Sequence, residues 1–370
     1  MLGLGSLFAS VPDPRAPNAR HALPDLLLIA FAAVLCGVES CVDMADFAAS
    51  KRDVLAQVLG LGHGVPSHDT FSRVSRLLDP SAFEAAFCAF RAGLLPPWGQ
   101  VGTAGQVVAL DGTSLRGAVD AARRSTPLHL VTAWAAEQRL VLAVRRAPGR
   151  SEVAAAREII GLLDLTATTV TADALHGSRA TAKDICSRGG GDALVIKGNR
   201  GPLHADMQAL LALLADTSAA PSALTTGDAH GRHEKRRATV LPVPGDWAKR
   251  RTFTGLAAAA RIDCLRRIGG KQERHTRYVA LARLLDPAEA LRVVRVHRSI
   301  ENNQHWLPDV AFGEDRIATR HDNTAENLAV LRRLALNLMR TDAHKASTHC
   351  KIKRAGWDNP DLLTLLRQMR

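Results

Sequence analysis

At 370 residues the chain is long enough for a large core divided between two domains. Hydrophobic content of 46% and charged content of 23% argue against a disordered protein. The 48 Lys+Arg against 36 Asp+Glu leave a net charge of +12, which points to a polyanionic partner, nucleic acid being the commonest. The cysteines, Cys36, Cys41, Cys88, Cys186, Cys264 and Cys350, are scattered with no CxxC pair. They read as reduced thiols of a cytosolic protein, not as a disulfide framework or a zinc cluster.

Residues 1 to about 95 read as mostly helical. The apolar run Leu26 to Val38 is too short to span a bilayer and is followed at once by Glu39 and Asp43, so it is expected to be a buried helix. Asp43 to Leu59 has helical spacing. Pro66-Ser67-His68-Asp69-Thr70 is a helix start, with Pro and several N-cap residue types ahead of Phe71. Gly93 to Gly105, rich in Gly and Pro, reads as a linker.

Past the linker the pattern changes. Gln106 to Leu110 is a buried-strand run ending at Asp111-Gly112, and Leu128 to Trp134 and Arg139 to Arg146 are two more strands. Glu152 to Leu163 is a helix, Thr168 to Thr171 a strand ending at Asp173, Ala193 to Lys197 a strand, and His204 to Leu214 a helix. Strands followed by alternating helix and strand predict an α/β layer with a mixed sheet. Residues 220–285 return to strand-like runs and look like an insertion. Helices then dominate, over about 287–305 and Thr324 to Arg340.

Asp111 and Asp173 each follow an apolar strand, the place where α/β sheets gather ligand-binding side chains. Two carboxylates there can share hard divalent cations. Taken singly, Asp111-Gly112 also suits a tight turn and Asp173 a helix N-cap. Glu301 is the only acid in RVVRVHRSIENNQHW, where it is either a ligand or a partner of Arg298 and His297 at helical spacing. Basic clusters at Arg232 to Arg237, at Lys249 to Arg251 and in the tail with Lys345, Lys351, Lys353 and Arg354 fit phosphate contacts that carry no sequence information. Lys197-Gly198-Asn199, after a strand, is a further phosphate candidate.

An ordered set of segments resembles the DDE transposases of bacterial insertion sequences, in the ISAs-type branch that includes the H-repeat-associated proteins. They are Val11 to Arg15, Pro66 to Phe71, Asp111 to Gly117 (DGTSLRG), His129 to Trp134, Asp173-Ala174-Leu175, Lys197-Gly198-Asn199 and His230-Gly231-Arg232. The set continues with Ile300-Glu301-Asn302, His305-Trp306, Asp309 to Arg316, Glu326 to Leu338 and Ala355 to Asp358. The resemblance implies a ribonuclease-H-like catalytic domain over 106–342, with a β-rich insertion at about 220–285. It also implies a helical DNA-recognition domain over 1–95; the Gly- and Pro-rich residues place a linker at 96–105, and the basic residues past 342 read as a tail over 343–370. Asp111, Asp173 and Glu301 become the acidic triad for two Mg²⁺ or Mn²⁺ ions, with Glu314 and Asp315 as rivals for the third place. Arg298 stands where the family usually has Trp, Thr113 where it has Lys and Arg200 where it has Gln.

The expected function is binding of terminal inverted repeats, metal-dependent DNA cleavage and strand transfer. Lys197, Arg232, His297, Arg298, Lys351, Lys353 and Arg354 are expected on DNA. The expected setting is a homodimer on double-stranded DNA, in a cytoplasmic bacterial protein with no membrane role. The alternative is a catalytically decayed DNA-binding derivative of such an enzyme.

Overall fold

The computed structural model describes residues 8–94, 105–115, 117, 127–174, 176, 178–198, 201–215, 220–229, 232–247, 253–298, 300, 303, 306–316 and 322–368. Among these, thirteen α-helices surround one nine-stranded mixed sheet. The N-terminal helices are α1 (Leu23–Leu35), α2 (Cys41–Ser50), α3 (Arg52–Leu55), α4 (His68–Leu77) and α5 (Pro80–Leu94). In α1 every residue from Leu26 to Leu35 is buried, because a helix apolar on all sides needs neighbours all round. The helical stretch expected from Asp43 to Leu59 divides instead into α2 and the short α3, with Lys51 between them. Most of the expected linker lies outside the described residues.

The sheet begins with β1 (Gln106–Leu115), β2 (Leu128–Ala135) and β3 (Leu140–Arg146), followed by α6 (Glu152–Leu162), β4 (Thr168–Ala172), α7 (Arg179–Ser187), β5 (Gly191–Ile196) and α8 (Gly201–Ala215). It continues with β6 (Ser222–Ala229), β7 (Arg232–Pro242), β8 (Ala258–Ile268) and β9 (Lys271–Leu281). The strand order is β3-β2-β1-β4-β5-β9-β8-β7-β6. Pairing is antiparallel between β1 and β2 and between β2 and β3, and parallel from β1 to β4 and β4 to β5. The strand-rich segment expected as an insertion does not stand apart: β9 pairs antiparallel with β5, so β6 to β9 lengthen the same sheet.

Period-two alternation gives the sheet two apolar faces. One packs on α6, α7 and α8 through Val108, Leu110, Val170, Ile159, Ile185 and Met207. The other is covered in two parts. Ala109, Leu130, Trp134 and Val141 meet the N-terminal helices together with α11 (Thr324–Thr341). Val107, Ala193, Val240 and Val279 meet α9 (Pro287–His297). Between α9 and α11 lies the short α10 (Leu307–Phe312).

The edge strand β3 is closed by a side chain: Asn337 of α11 accepts from the Val141 N–H and donates to its carbonyl, both at 2.8 Å. The segment 343–370, read as a basic tail, instead forms α12 (Thr348–Trp357) and α13 (Asn359–Arg367). Ile352, Leu362, Leu365 and Leu366 at helical spacing enter the same core as α1 and α11. None of the described helices is long and apolar enough to cross a membrane.

Candidate active site

Strands β1 and β4 run parallel in register, and their last paired residues are Leu110 and Ala172. Asp111 is the next residue of β1 and Asp173 the first residue after β4, so the two acids stand level at neighbouring strands. Alternation places Asp111 on the face of Ala109, opposite Leu110 and Val108. Asp111 is not at a strand end, as expected, nor in a turn. It pairs with Thr132 of β2, and β1 runs on to Leu115. Asp111 Oδ1 accepts from the Gly112 N–H at 2.9 Å. Both acids are half-buried.

The helix α9 crosses this face. Its last residue, His297, shares a 3.2 Å hydrogen bond between Nδ1 and Thr171 Oγ1, two residues before Asp173. Burial pushes the His297 imidazole down to about 4, with Asp173 pulling the other way, so it is neutral at pH 7. The expected helix over 287–305 is described as α9 only as far as His297, with Arg298 as its C-cap. Ile300 is buried in the core shared by the N-terminal helices and α11. Glu301 follows four positions after His297 in the sequence and lies outside the described residues.

On the other side of β1 lies a polar chain that sequence reasoning missed. Ser114 Oγ is 2.7 Å from His129 Nδ1 across the β1–β2 ladder. His129 Nε2 is 2.5 Å from Glu152 Oε1, at the N-terminus of α6. The second carboxylate oxygen of Glu152 is 3.2 Å from Nε2 of His176, which is completely buried. The His176 N–H donates to the Asp173 carbonyl at 3.1 Å. His176 first, and then His129, hold the Glu152 carboxyl below its usual range against the opposing pull of burial. The chain therefore links the strand of Asp111 to the turn that carries Asp173. The signal available in sequence was a His inside an otherwise apolar strand. Glu152 itself looked like an ordinary first-turn acid behind the N-cap Ser151.

A sequence profile described as "Transposase DDE domain" matches residues 102–338, and one described as "DDE_Tnp_1-associated" matches residues 6–91. The chain belongs to the DDE transposase family. It is 36% identical over 287 residues to an "Uncharacterized protein in dhlA 3'region" of Xanthobacter autotrophicus, covering 76% of this chain and 94% of the relative. It is 28% identical over 368 residues to the "H repeat-associated putative transposase YhhI" of Escherichia coli, covering 96% and 95% respectively. Among solved structures, a piggyBac transposase synaptic complex with hairpin DNA aligns with 96% of this chain and 75% of its own, at 11% identity and a TM-score of 0.43.

Within this transposase fold the expected DNA-contacting residues separate. Lys197 follows β5 and is exposed, as is Lys353 on α12. Arg298, half-buried, lines a groove between α9 and the sheet. Arg232 opens β7. Three residues depart from expectation. His297 is neutral and turned to Thr171. Lys351 is 8% exposed, and its ammonium donates to the Met339 carbonyl at 2.7 Å and the Asp342 carbonyl at 2.9 Å. It satisfies carbonyls that the end of α11 would otherwise leave without donors. Arg354 is engaged by Asp361 through two bonds of 2.7 and 3.0 Å, which join α12 to α13.

The rivals for the third acidic position are also placed. Glu314 is 3% exposed and ion-paired with Arg333, with Arg332 at 3.8 Å. The Asp315 N–H donates to Asp309 Oδ1 at 3.1 Å. Among the described residues, no three His, Cys, Asp or Glu side chains converge as a metal-binding group. The Asp111–Asp173 pair suits a divalent ion, since carboxylate oxygens are the donors that Mg²⁺ and Mn²⁺ take.

Proposed function

We propose that this transposase binds the terminal inverted repeats of an insertion sequence, cleaves DNA with divalent metal ions and joins the freed 3′-hydroxyl to target DNA. The observation that carries the reading is the level placement of Asp111 and Asp173 at adjacent parallel strands. The strand order β3-β2-β1-β4-β5, with its antiparallel then parallel pairing, supports a ribonuclease-H-like catalytic domain over 106–342. The helices of residues 1–95 take the DNA-recognition role, and the active species on DNA is a homodimer. As a bacterial DNA-processing protein, it works in the cytoplasm at the nucleoid.

Asp111 and Asp173 would hold two Mg²⁺ or Mn²⁺ ions, with Glu301 supplying the third carboxylate. When bound, such ions lower the pKa of a water or hydroxyl nucleophile and stabilise the leaving oxygen. Asp111 and Asp173 set where the attacked phosphodiester must lie, and their rigid strands keep that position fixed. Arg298, Lys197 and Lys353 neutralise neighbouring phosphates.

The test is Asp111→Ala in the purified protein, assayed for Mg²⁺-dependent strand cleavage and for DNA binding. Cleavage is lost and binding retained if the reading holds; cleavage by the variant at the parent rate would sink it. A parent protein that binds DNA but never nicks it with Mg²⁺ or Mn²⁺ would support the decayed derivative instead.

A further inference from the structure

The groove beside Arg298 follows from strand register. On the face that α9 crosses, Val240, Ala260 and Val279 of β7, β8 and β9 form a buried rung. The next rung outward is Ala238, Ile262 and Arg277, and the one after it Arg236, Cys264 and His275. The helix supplies the other wall through Leu291, Val294, Arg295 and Arg298, at the i, i+3, i+4, i+7 spacing of one helical face. Five basic side chains, Arg236, His275, Arg277, Arg295 and Arg298, thus line one groove together with the apolar Ile262, Leu291 and Val294.

Acidic residues lie at the outer margin. Glu234 and Glu273 sit one rung further out, flanking Arg266. Glu234 is ion-paired with Arg236 and lies 3.2 Å from Arg266, and Glu273 is 3.7 Å from His275. Among the described residues that line the groove there is no acid. Arg298, one of its lining residues, directly follows His297, which is bonded to Thr171 two residues before Asp173.

We infer that this groove is a DNA contact in its own right, holding the sugar–phosphate backbone of one strand where it runs to the Asp111–Asp173 pair. The cationic side chains along its margin fit phosphates. The inference rests on the transposase reading but uses residues that reading does not require, Arg236, His275, Arg277 and Arg295. Guanidinium groups suit the role because their planar fork binds phosphate oxygens in pairs. Such contacts position DNA without reading its sequence.

The experiment measures binding of the full chain to a duplex of arbitrary sequence over a range of salt concentrations. Each lost phosphate contact lowers the slope of log K against log salt by about 0.9. Arg295→Ser and Arg277→Ser are each expected to lower it by that amount, and Arg295→Lys to restore most of it. Arg274→Ser is the control. It removes the same charge from β9, but alternation puts Arg274 on the opposite face, so the slope should stay at the parent value. Circular dichroism confirms that each variant is folded; should one serine variant not fold, the other carries the test.

Parent-like slopes in Arg295→Ser and Arg277→Ser would overturn the assignment. So would an equal loss in Arg274→Ser, since the charge would then act diffusely over the whole strand. Neither outcome depends on cleavage. A protein without Mg²⁺-dependent nicking fails the transposase reading while the groove is still scored by binding.

Discussion

Glu152 occupies the space that a side chain on Gly112 would need: a Cβ built there falls 2.6 Å from the Glu152 carboxyl carbon. The clash is not cheap to relieve, since His129 at 2.5 Å and His176 at 3.2 Å hold that carboxylate. Gly112→Ala is therefore expected to push Glu152 off its two imidazoles. The stability lost should be about 1.5–3 kcal/mol, the usual worth of a hydrogen bond to a charged group. Cleavage should fall as well, because Asp111 is the adjacent residue on the same strand. Adding Glu152→Ala removes the clash, so the double variant should lose less than the sum of the two single losses. Urea unfolding of all four proteins measures the coupling, and strict additivity would reject the steric account.

Asp192 of β5 makes stability depend on pH. It is 2% exposed, and burial alone pushes its carboxyl up to about 7 from an ordinary 3.8. Below pH 3.8 the group is protonated in both folded and unfolded chains and has no effect. Between 3.8 and about 7 the unfolded chain releases the proton while the folded chain keeps it, so the folded state loses ground as pH rises. Above 7 the penalty is complete. Asp192→Asn should match the parent near pH 4 and exceed its stability at pH 8, by an amount on the order of a few kcal/mol. Urea midpoints at the two pH values check this; a variant no more stable than its parent at pH 8 would refute it.

The acid pair was legible in sequence because an aspartate ending an apolar strand run is a local pattern. That the two acids stand level was not legible, since it depends on the register of β1 against β4. The strand boundary at Asp111-Gly112 was misread for a related reason. Asp-Gly favours a turn locally, but pairing of β1 with β2 through Leu115, and Glu152 filling the place beside Gly112, keep the segment extended. Lys351 misled by composition: a lysine among basic neighbours looks solvent-facing until the end of α11 is known to lie within reach of its ammonium. Glu152 and His176 were hidden because their relation spans two elements and only folding brings them together.

Glu314 and Glu301 can be told apart by what the removal of each changes. Glu314 is buried against Arg333 and Arg332, which are themselves 0% and 1% exposed. Removing one partner of a buried ion pair leaves the other's charge uncompensated, at a cost of about 3–5 kcal/mol. Glu314→Ala should accordingly unfold at much lower urea. Its DNA cleavage, measured where it is still folded, should keep the parent's Mn²⁺ requirement. Glu301→Ala is expected to behave in the opposite way: a change in urea midpoint worth less than about 1 kcal/mol, within the range of ordinary substitutions, and cleavage lost together with Mn²⁺ binding followed by electron paramagnetic resonance. If Glu314→Ala stayed stable and lost Mn²⁺ binding, the third carboxylate would be Glu314. The side chain that α11 holds with two arginines would then have to leave them to reach the metal.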